Sequence, residues 1–215
     1  MSRAASCALY TIVHSAKLSH SGSGVEYMDM RDEILEILVS AEEIQKRTTE
    51  LGQQIGHDYE SRNPLMICIL RGAVVFLSDL IRSVPVHVMV DFMGVSSYGG
   101  TNMDSTGVIK ITRDVDANVA HRDIIIVEDI VDTGLTMKAL VDLMKTRGPS
   151  SIEICTFLSK PQRRKVDVDI KYCGFEIPNK FVIGYGLDYD ENYRNLPFVG
   201  VLKPEVYEKR KEEKG

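Results

Sequence analysis

Ile124-Ile125-Ile126-Val127-Glu128-Asp129-Ile130-Val131-Asp132-Thr133-Gly134-Leu135-Thr136 is the stretch on which the reading of the fold turns. Its four leading β-branched residues read as a strand buried on both faces, because a strand with one wet face would alternate apolar and polar residues. Glu128 and Asp129 then fall at the carboxyl end of that strand, and Asp132, Thr133 and Gly134 form a turn. Met137, Leu140, Val141 and Met144 recur at helical spacing until Gly148-Pro149 stops the stripe. Ile152 to Leu158 supplies the next strand, so the segment is strand, turn, helix, strand.

The same alternation extends upstream. Ser40 and Glu43 have the spacing of a capping box, and Ile44, Thr48, Leu51, Ile55 and Tyr59 mark one face of an amphipathic helix that Asn63-Pro64 ends. Leu65 to Leu70 reads as a strand, Arg71-Gly72 as a tight turn, and Ala73 to Ile81 as a helix. Val86 to Phe92 is a further strand, and the polar run from Ser96 to Gly107 is a long mobile loop of the kind that usually carries function. After Lys160 the pattern shortens, with Phe181 to Ile183 and Phe198 to Leu202 as the last strand candidates and Glu205 to Lys214 as a solvated, fraying tail. Near-continuous apolar strands alternating with helices predict an α/β fold with a mostly parallel sheet covered on both faces.

Composition narrows the function. A chain of 215 residues with 44% hydrophobic content can bury one sizeable core. Its 31 acidic residues against 26 basic ones, a formal charge of −5, argue against a surface made to neutralise nucleic-acid phosphates or anionic lipid. The four cysteines, Cys7, Cys68, Cys155 and Cys173, form no C-x-x-C pair, and Cys68 and Cys155 sit within apolar runs, which predicts a cytoplasmic, disulfide-free protein. The five histidines make no zinc motif. No apolar run approaches the roughly 18 to 20 residues that span a bilayer. Residues 1–24 are Ser-rich and free of acidic residues, and read as a disordered or appended tail, or else as a transit or signal segment. The expected division is therefore an N-terminal extension over 1–27 and one domain over 28–215.

In open α/β sheets, ligands bind beyond the carboxyl ends of the strands. A helix that begins there offers unpaired amide N–H groups and the positive end of its dipole, which suit a phosphate. Gly134 permits close backbone approach, and the hydroxyls of Thr133 and Thr136 add donors. Three carboxylates within five residues would repel one another unless a divalent cation, a pair of sugar hydroxyls or a transferable proton used them. The pattern asks for a ligand with phosphate at one end and a polyhydroxylated or metal-bound part at the other.

This segment resembles the phosphoribosyl pyrophosphate signature of type I phosphoribosyltransferases. Leu70-Arg71-Gly72-Ala73, Ser96-Ser97-Tyr98-Gly99, Ser159-Lys160-Pro161, and Phe181 to Tyr189 with Tyr193-Arg194 resemble the hypoxanthine-guanine branch of that family, in the same order, over about Met28 to Tyr207. The resemblance implies the type I phosphoribosyltransferase fold, a twisted, mostly parallel sheet plus a small hood drawn mainly from about 160–207 and the start of the domain. It also implies purine salvage, in which hypoxanthine or guanine, with xanthine as a further candidate, receives a phosphoribosyl group and pyrophosphate is released. Magnesium is the implied cofactor, and a homodimer or homotetramer the implied assembly.

The residue roles come with the resemblance. Glu128 and Asp129 would hold the ribose hydroxyls and help organise magnesium, and Asp132 would be the acid/base group at N7 of the purine. Asp132, Thr133, Gly134, Leu135 and Thr136 would cradle the 5′-phosphate. Arg71 and Gly72 would contact pyrophosphate, after a non-proline cis peptide at Leu70–Arg71; many family members carry lysine at the position of Arg71. Lys160 would donate to the 6-oxo group, Phe181 would stack on the base, and the Val182 backbone would read its edge. Asp188 would hold a second magnesium, Arg194 would bind the leaving pyrophosphate, and Ser97 and Tyr98 would belong to the loop that closes over the reaction. Three rival readings are weaker. A phosphoacceptor signalling domain needs a further strand ending in aspartate and a late lysine. A regulatory RNA-binding relative conflicts with the acidic balance, and an adenine-specific enzyme conflicts with Lys160.

Overall fold

The computed structural model describes residues 30–97 and 109–213. The expected N-terminal extension, Tyr98 and most of the expected loop from Ser96 to Gly107 therefore lie outside the described residues.

Two strands set the core. Leu65–Leu70 forms β2 and Asp123–Val131 forms β5, paired in parallel with Leu65 beside Ile124 and Cys68 beside Val127. Because side chains alternate across a strand, Leu65, Ile67, Ile69, Ile124 and Ile126 enter one core while Met66, Cys68, Ile125 and Val127 enter another on the opposite face. This two-sided burial is the reason for the unbroken apolar runs. Helix α1 (Ala41–Asp58) and helix α2 (Val74–Ser83) cover the face of Met66 and Cys68, with Leu51, Ile55, Phe76 and Leu80 fully buried. Helix α3 (Leu135–Lys145) covers the other face through Met137, Leu140 and Met144. The capping box at the start of α1 is formed as the spacing implies, with the Glu43 amide donating to the Ser40 hydroxyl and the Ser40 amide donating to the Glu43 carboxylate.

The main sheet has six strands in the order β4-β3-β2-β5-β6-β7, where β3 is Met89–Ser97, β4 Ile109–Arg113, β6 Ser151–Ser159 and β7 Tyr172–Glu176. All neighbours are parallel except the edge pair β3 and β4. A separate two-stranded antiparallel sheet joins β1 (Ile34–Val39) to β8 (Val199–Leu202) and forms the hood over its own small core of Ile183, Tyr193, Leu196, Phe198 and Leu202.

Several expectations need correction. Strand β5 runs through Glu128 and Asp129 to Val131, so those carboxylates lie within the strand and not at its end. Strand β3 starts at Met89 instead of Val86 and continues through Ser96 and Ser97, because its first half is registered against β2 and its second half pairs with β4. Strands β1, β4 and β7 were not expected. Helix α3 stops at Lys145, with Gly148 beyond it at φ 71°. Phe181 to Ile183 is no strand; its only ladder contact is the bridge between Ile183 and Gly200. The tail expected to fray is helix α4 (Pro204–Glu213), which opens on proline, whose fixed φ suits a first helical position, and is held down by the buried Val206.

Candidate active site

The turn between β5 and α3 sits where two cavities meet. One, of about 230 Å³, is lined by Glu128, Ile130, Val131, Asp132, Thr133, Gly134, Thr136 and Met137. The other, of about 400 Å³, is lined by Asp129, Ile130, Asp132, Lys160, Arg163, Asn179, Phe181, Val182, Leu187 and Asp188. Ile130 and Asp132 belong to both, so a ligand that occupied both would cross Asp132. A roomier cavity of about 580 Å³ lies between α1, α2, Tyr185 and residues 194–197. Its main polar groups answer one another, since Asp79 accepts from both Arg82 and the Tyr185 hydroxyl. The smaller pair is the candidate site because Glu128, Asp129, Asp132, Lys160 and Asp188 converge on it around the opening of a helix.

The smaller cavity lies at the opening of α3. Gly134 is the N-cap of α3 at φ 84°, and no side chain caps the helix, so the opening amides face the cavity end of the turn. A left-handed φ favours glycine, and a Cβ here would also come within 2.9 Å of Val168 and 3.0 Å of Arg164. The Thr133 hydroxyl is buried and takes a long, 3.5 Å contact from the Leu135 amide. Asp132, Thr133, Gly134, Leu135 and Thr136 are thus brought together as expected, beside an N-terminal dipole that suits an anion.

Glu128 and Asp129 alternate across β5, one lining each cavity. Both residues are half-buried in the walls of the cleft. Burial drives the Glu128 carboxyl well above its usual range, helped by the neighbouring Asp129 charge. Burial also raises Asp129, against the pull of its hydrogen bonds and of the Arg194 charge. A carboxyl whose folded pKa is raised costs stability when it ionises, so this pair opposes folding as pH rises through its folded-state range. A bound cation would relieve that cost. Gly72 fixes Asp129 from the other side: a Cβ on Gly72 would lie 1.5 Å from Asp129 Oδ2. The turn after β2 and the acidic pair are therefore one packed unit, entered through the cis peptide Leu70–Arg71 that the resemblance implied.

The larger cavity carries side chains. The Lys160 amide donates to the Val131 carbonyl at 3.0 Å, which ties the end of β6 to the end of β5 and sets Lys160 beside Asp132. Lys160 is 7% exposed. Burial lowers its pKa, the Asp132 charge works against that, and the Arg163 charge adds to it. Arg163 Nε–H donates to Asp132 Oδ1 at 2.7 Å. This partner was not foreseen, although the sequence held a cue: Pro161 at the first position of the turn Pro161–Arg163 bends the chain so that Arg163 returns toward Asp132. Asn179 was likewise missed. Phe181 is 40% exposed and stands edge-on to Tyr189 and Tyr207 at 5.8 and 6.1 Å between ring centres, which leaves one face toward the cavity it lines. Val182 is buried behind it.

Asp188 and Arg194 form the rim. Arg194 Nη2 lies 2.9 Å from Asp188 Oδ1, and its Nη1 donates to the Gly186 carbonyl at 2.8 Å. Arg71 is paired across the rim with Glu191, which no sequence motif singled out. Ser97 ends β3, the strand beside β2, and Tyr98 falls outside the described residues. Among the described residues no three His, Cys, Asp or Glu side chains converge on one point. The carboxyls of Glu128, Asp129 and Asp188, which line the two cavities, are hard oxygen donors of the kind magnesium takes one or two at a time beside water and substrate phosphate.

The model of the phosphoribosyl transferase domain matches residues 35–190. The chain is 50% identical over 180 residues to a hypoxanthine-guanine phosphoribosyltransferase of Streptococcus thermophilus, covering 84% of this chain and 99% of that one. It is 50% identical over 179 residues to that of Bacillus subtilis, covering 83% and 99%. A solved hypoxanthine phosphoribosyltransferase of Staphylococcus aureus superposes with a TM-score of 0.80 at 46% identity, over 83% of this chain and 96% of that one. With a helix N-terminus, an acidic pair and a lysine-bearing pocket converging on one turn, and with relatives matched along nearly their whole length, the chain belongs to the phosphoribosyltransferase family.

Proposed function

We propose that this protein transfers the 5-phosphoribosyl group of phosphoribosyl pyrophosphate to hypoxanthine or guanine, giving the nucleoside monophosphate and pyrophosphate in purine salvage. The carrying observation is the pair of cavities that share Asp132, one lined by the residues that open α3 and the other by Lys160 and Phe181. The spacing suits a molecule with a phosphate, a sugar and a flat base in that order. The names of the Streptococcus and Bacillus relatives support the same substrates.

In this reading residues 132–136 bind the 5′-phosphate, and Glu128 and Asp129 hold the ribose hydroxyls. Displacement at the anomeric carbon passes through a state with positive charge on the sugar and growing negative charge on the leaving group. The carboxylates stabilise the first charge; Arg71, Arg194 and the Gly72 backbone stabilise the second. Magnesium would be held on one side by Glu128 and Asp129 and, as a second ion, by Asp188, and would supply neutralisation of the diphosphate. Asp132 exchanges a proton at N7, held in place by Arg163 through Oδ1. Lys160 has donors and no acceptor, so it favours a 6-oxo group over the 6-amino group of adenine. Phe181 stacks on the base, the Val182 backbone reads its edge, and Ser97 and Tyr98 belong to the segment that shields the site from water. Xanthine shares the 6-oxo group and is accommodated by the same contacts.

A homodimer or homotetramer belongs to this reading on the strength of the family resemblance. A cytoplasmic setting is supported by the free thiols of Cys68, Cys155 and Cys173. Among the described residues no helix is long and apolar enough to cross a membrane. The test is direct: with magnesium and phosphoribosyl pyrophosphate, hypoxanthine and guanine are expected to yield nucleotide and adenine little or none. Absence of product with every purine would overturn the assignment.

A further inference from the structure

We propose that Glu191 is an internal stand-in for a phosphate group, holding Arg71 and Arg194 in place while the diphosphate is absent and giving way to it on binding. The proposal rests on the phosphoribosyl pyrophosphate reading of the site. A carboxylate presents two coplanar oxygens to a guanidinium in nearly the way a phosphate edge does. Arg71 uses both of its terminal nitrogens on Glu191, Nη1 at 3.0 Å from Oε2 and Nη2 at 3.1 Å from Oε1. Arg194 Nη2 reaches the same Oε2 at 3.4 Å. One carboxylate thus takes both terminal nitrogens of Arg71 and adds a longer contact to Arg194, whose Nη2 also lies 2.9 Å from Asp188 Oδ1.

The contact adds little to folding. The Arg71 and Glu191 side chains are 71% and 59% exposed, and ion pairs so open to water contribute little stability. The backbone nevertheless goes to some length to present it. Asp190 and Glu191 stand at φ 55° and 62°, left-handed values that residues with a Cβ seldom take. The Glu191 amide donates to Asp188 Oδ2 at 2.8 Å, which pins the turn. At Gly186, φ is 100° and a Cβ would lie 2.0 Å from the Gly72 carbonyl oxygen. The loop bearing Glu191 and the turn bearing Arg71 are therefore in backbone contact, and the fork between their side chains is built into that contact.

The functional consequence concerns release. A site whose Arg71 fork met no internal anion would hold pyrophosphate more tightly, and product would leave more slowly. Glu191 competes for those donors, so it lowers affinity for the leaving diphosphate and re-forms the resting pair as it departs. This makes Glu191 a positioning residue and not a group that touches the reacting atoms.

Calorimetric titration of inorganic pyrophosphate into the full chain at fixed magnesium tests the idea. Glu191→Gln is expected to lower the dissociation constant by about two- to fivefold, the factor one exposed forked ion pair can supply. Glu191→Ala, which leaves no amide to pair with arginine, should shift it the same way, and the effect should shrink in an Arg71→Gln background. An unchanged or raised dissociation constant in both Glu191 variants would overturn the proposal while leaving the parent reading intact. A wild-type chain that does not bind pyrophosphate would overturn the parent reading together with the proposal.

Discussion

Asp132→Asn is expected to lower turnover by about 10²- to 10⁴-fold, the range that positioned acid/base groups contribute, with phosphoribosyl pyrophosphate affinity changed by less than about twofold. Asparagine keeps the size of the side chain and an oxygen that can still accept from Arg163 Nε, whose bond to Asp132 Oδ1 measures 2.7 Å. What it loses is the capacity to take up a proton at N7. The loop backbone proposed to hold the 5′-phosphate is left as it was by this substitution, so binding and chemistry are expected to separate. Steady-state kinetics alongside a direct binding measurement checks this; turnover at the wild-type level would reject Asp132 as the proton acceptor.

Lys160→Met should reduce kcat/KM for hypoxanthine and guanine by roughly 10- to 150-fold, the equivalent of one hydrogen bond to a charged group, and narrow the preference over adenine. Methionine fills similar volume but offers no donor to a 6-oxo group. Loss of fold would not account for the result. Burial lowers the Lys160 pKa, so between its folded and ordinary values the unfolded chain binds more protons, and wild-type stability rises with pH through that window. Removing the buried ammonium therefore leaves the melting temperature equal or higher at neutral pH. The same shift places the alkaline loss of 6-oxopurine activity below the ordinary lysine range. An unaltered ranking of bases in the variant would remove Lys160 from the selectivity argument.

The parts of the fold legible in the sequence are those whose information is local. Ser40 and Glu43 cap α1 by themselves, and the double-sided burial of β2 and β5 writes itself as an unbroken apolar run. The strands that escaped notice depend on distant partners. Strand β1 gains its role only by pairing with β8, more than 150 residues away. Strand β4, Ile-Lys-Ile-Thr-Arg, is an edge strand with one wet face and sits just after a polar run. Strand β7 has Gly174 at its middle, which reads as a loop until the parallel edge of β6 is there to receive it. Phe181 to Ile183 misled for the opposite reason, since the positive φ values of Gly184, Tyr185 and Gly186 turn the chain away before a ladder can form.

For the site, the contiguous turn from Asp132 to Thr136 could be read directly, because a helix N-terminus and the groups it offers belong to one stretch of chain. The partnerships could not. Arg163 on Asp132, Glu191 on Arg71 and the seating of Asp129 against Gly72 each join loops that only the assembled sheet brings together.

The most direct test of the account is a crystal structure of the protein with ribose 5-phosphate. The expected density puts the phosphate on the amides of residues 133–136 and the sugar hydroxyls against Glu128 and Asp129. Phosphate density anywhere else, with that turn unchanged and its carboxylates untouched, would contradict it.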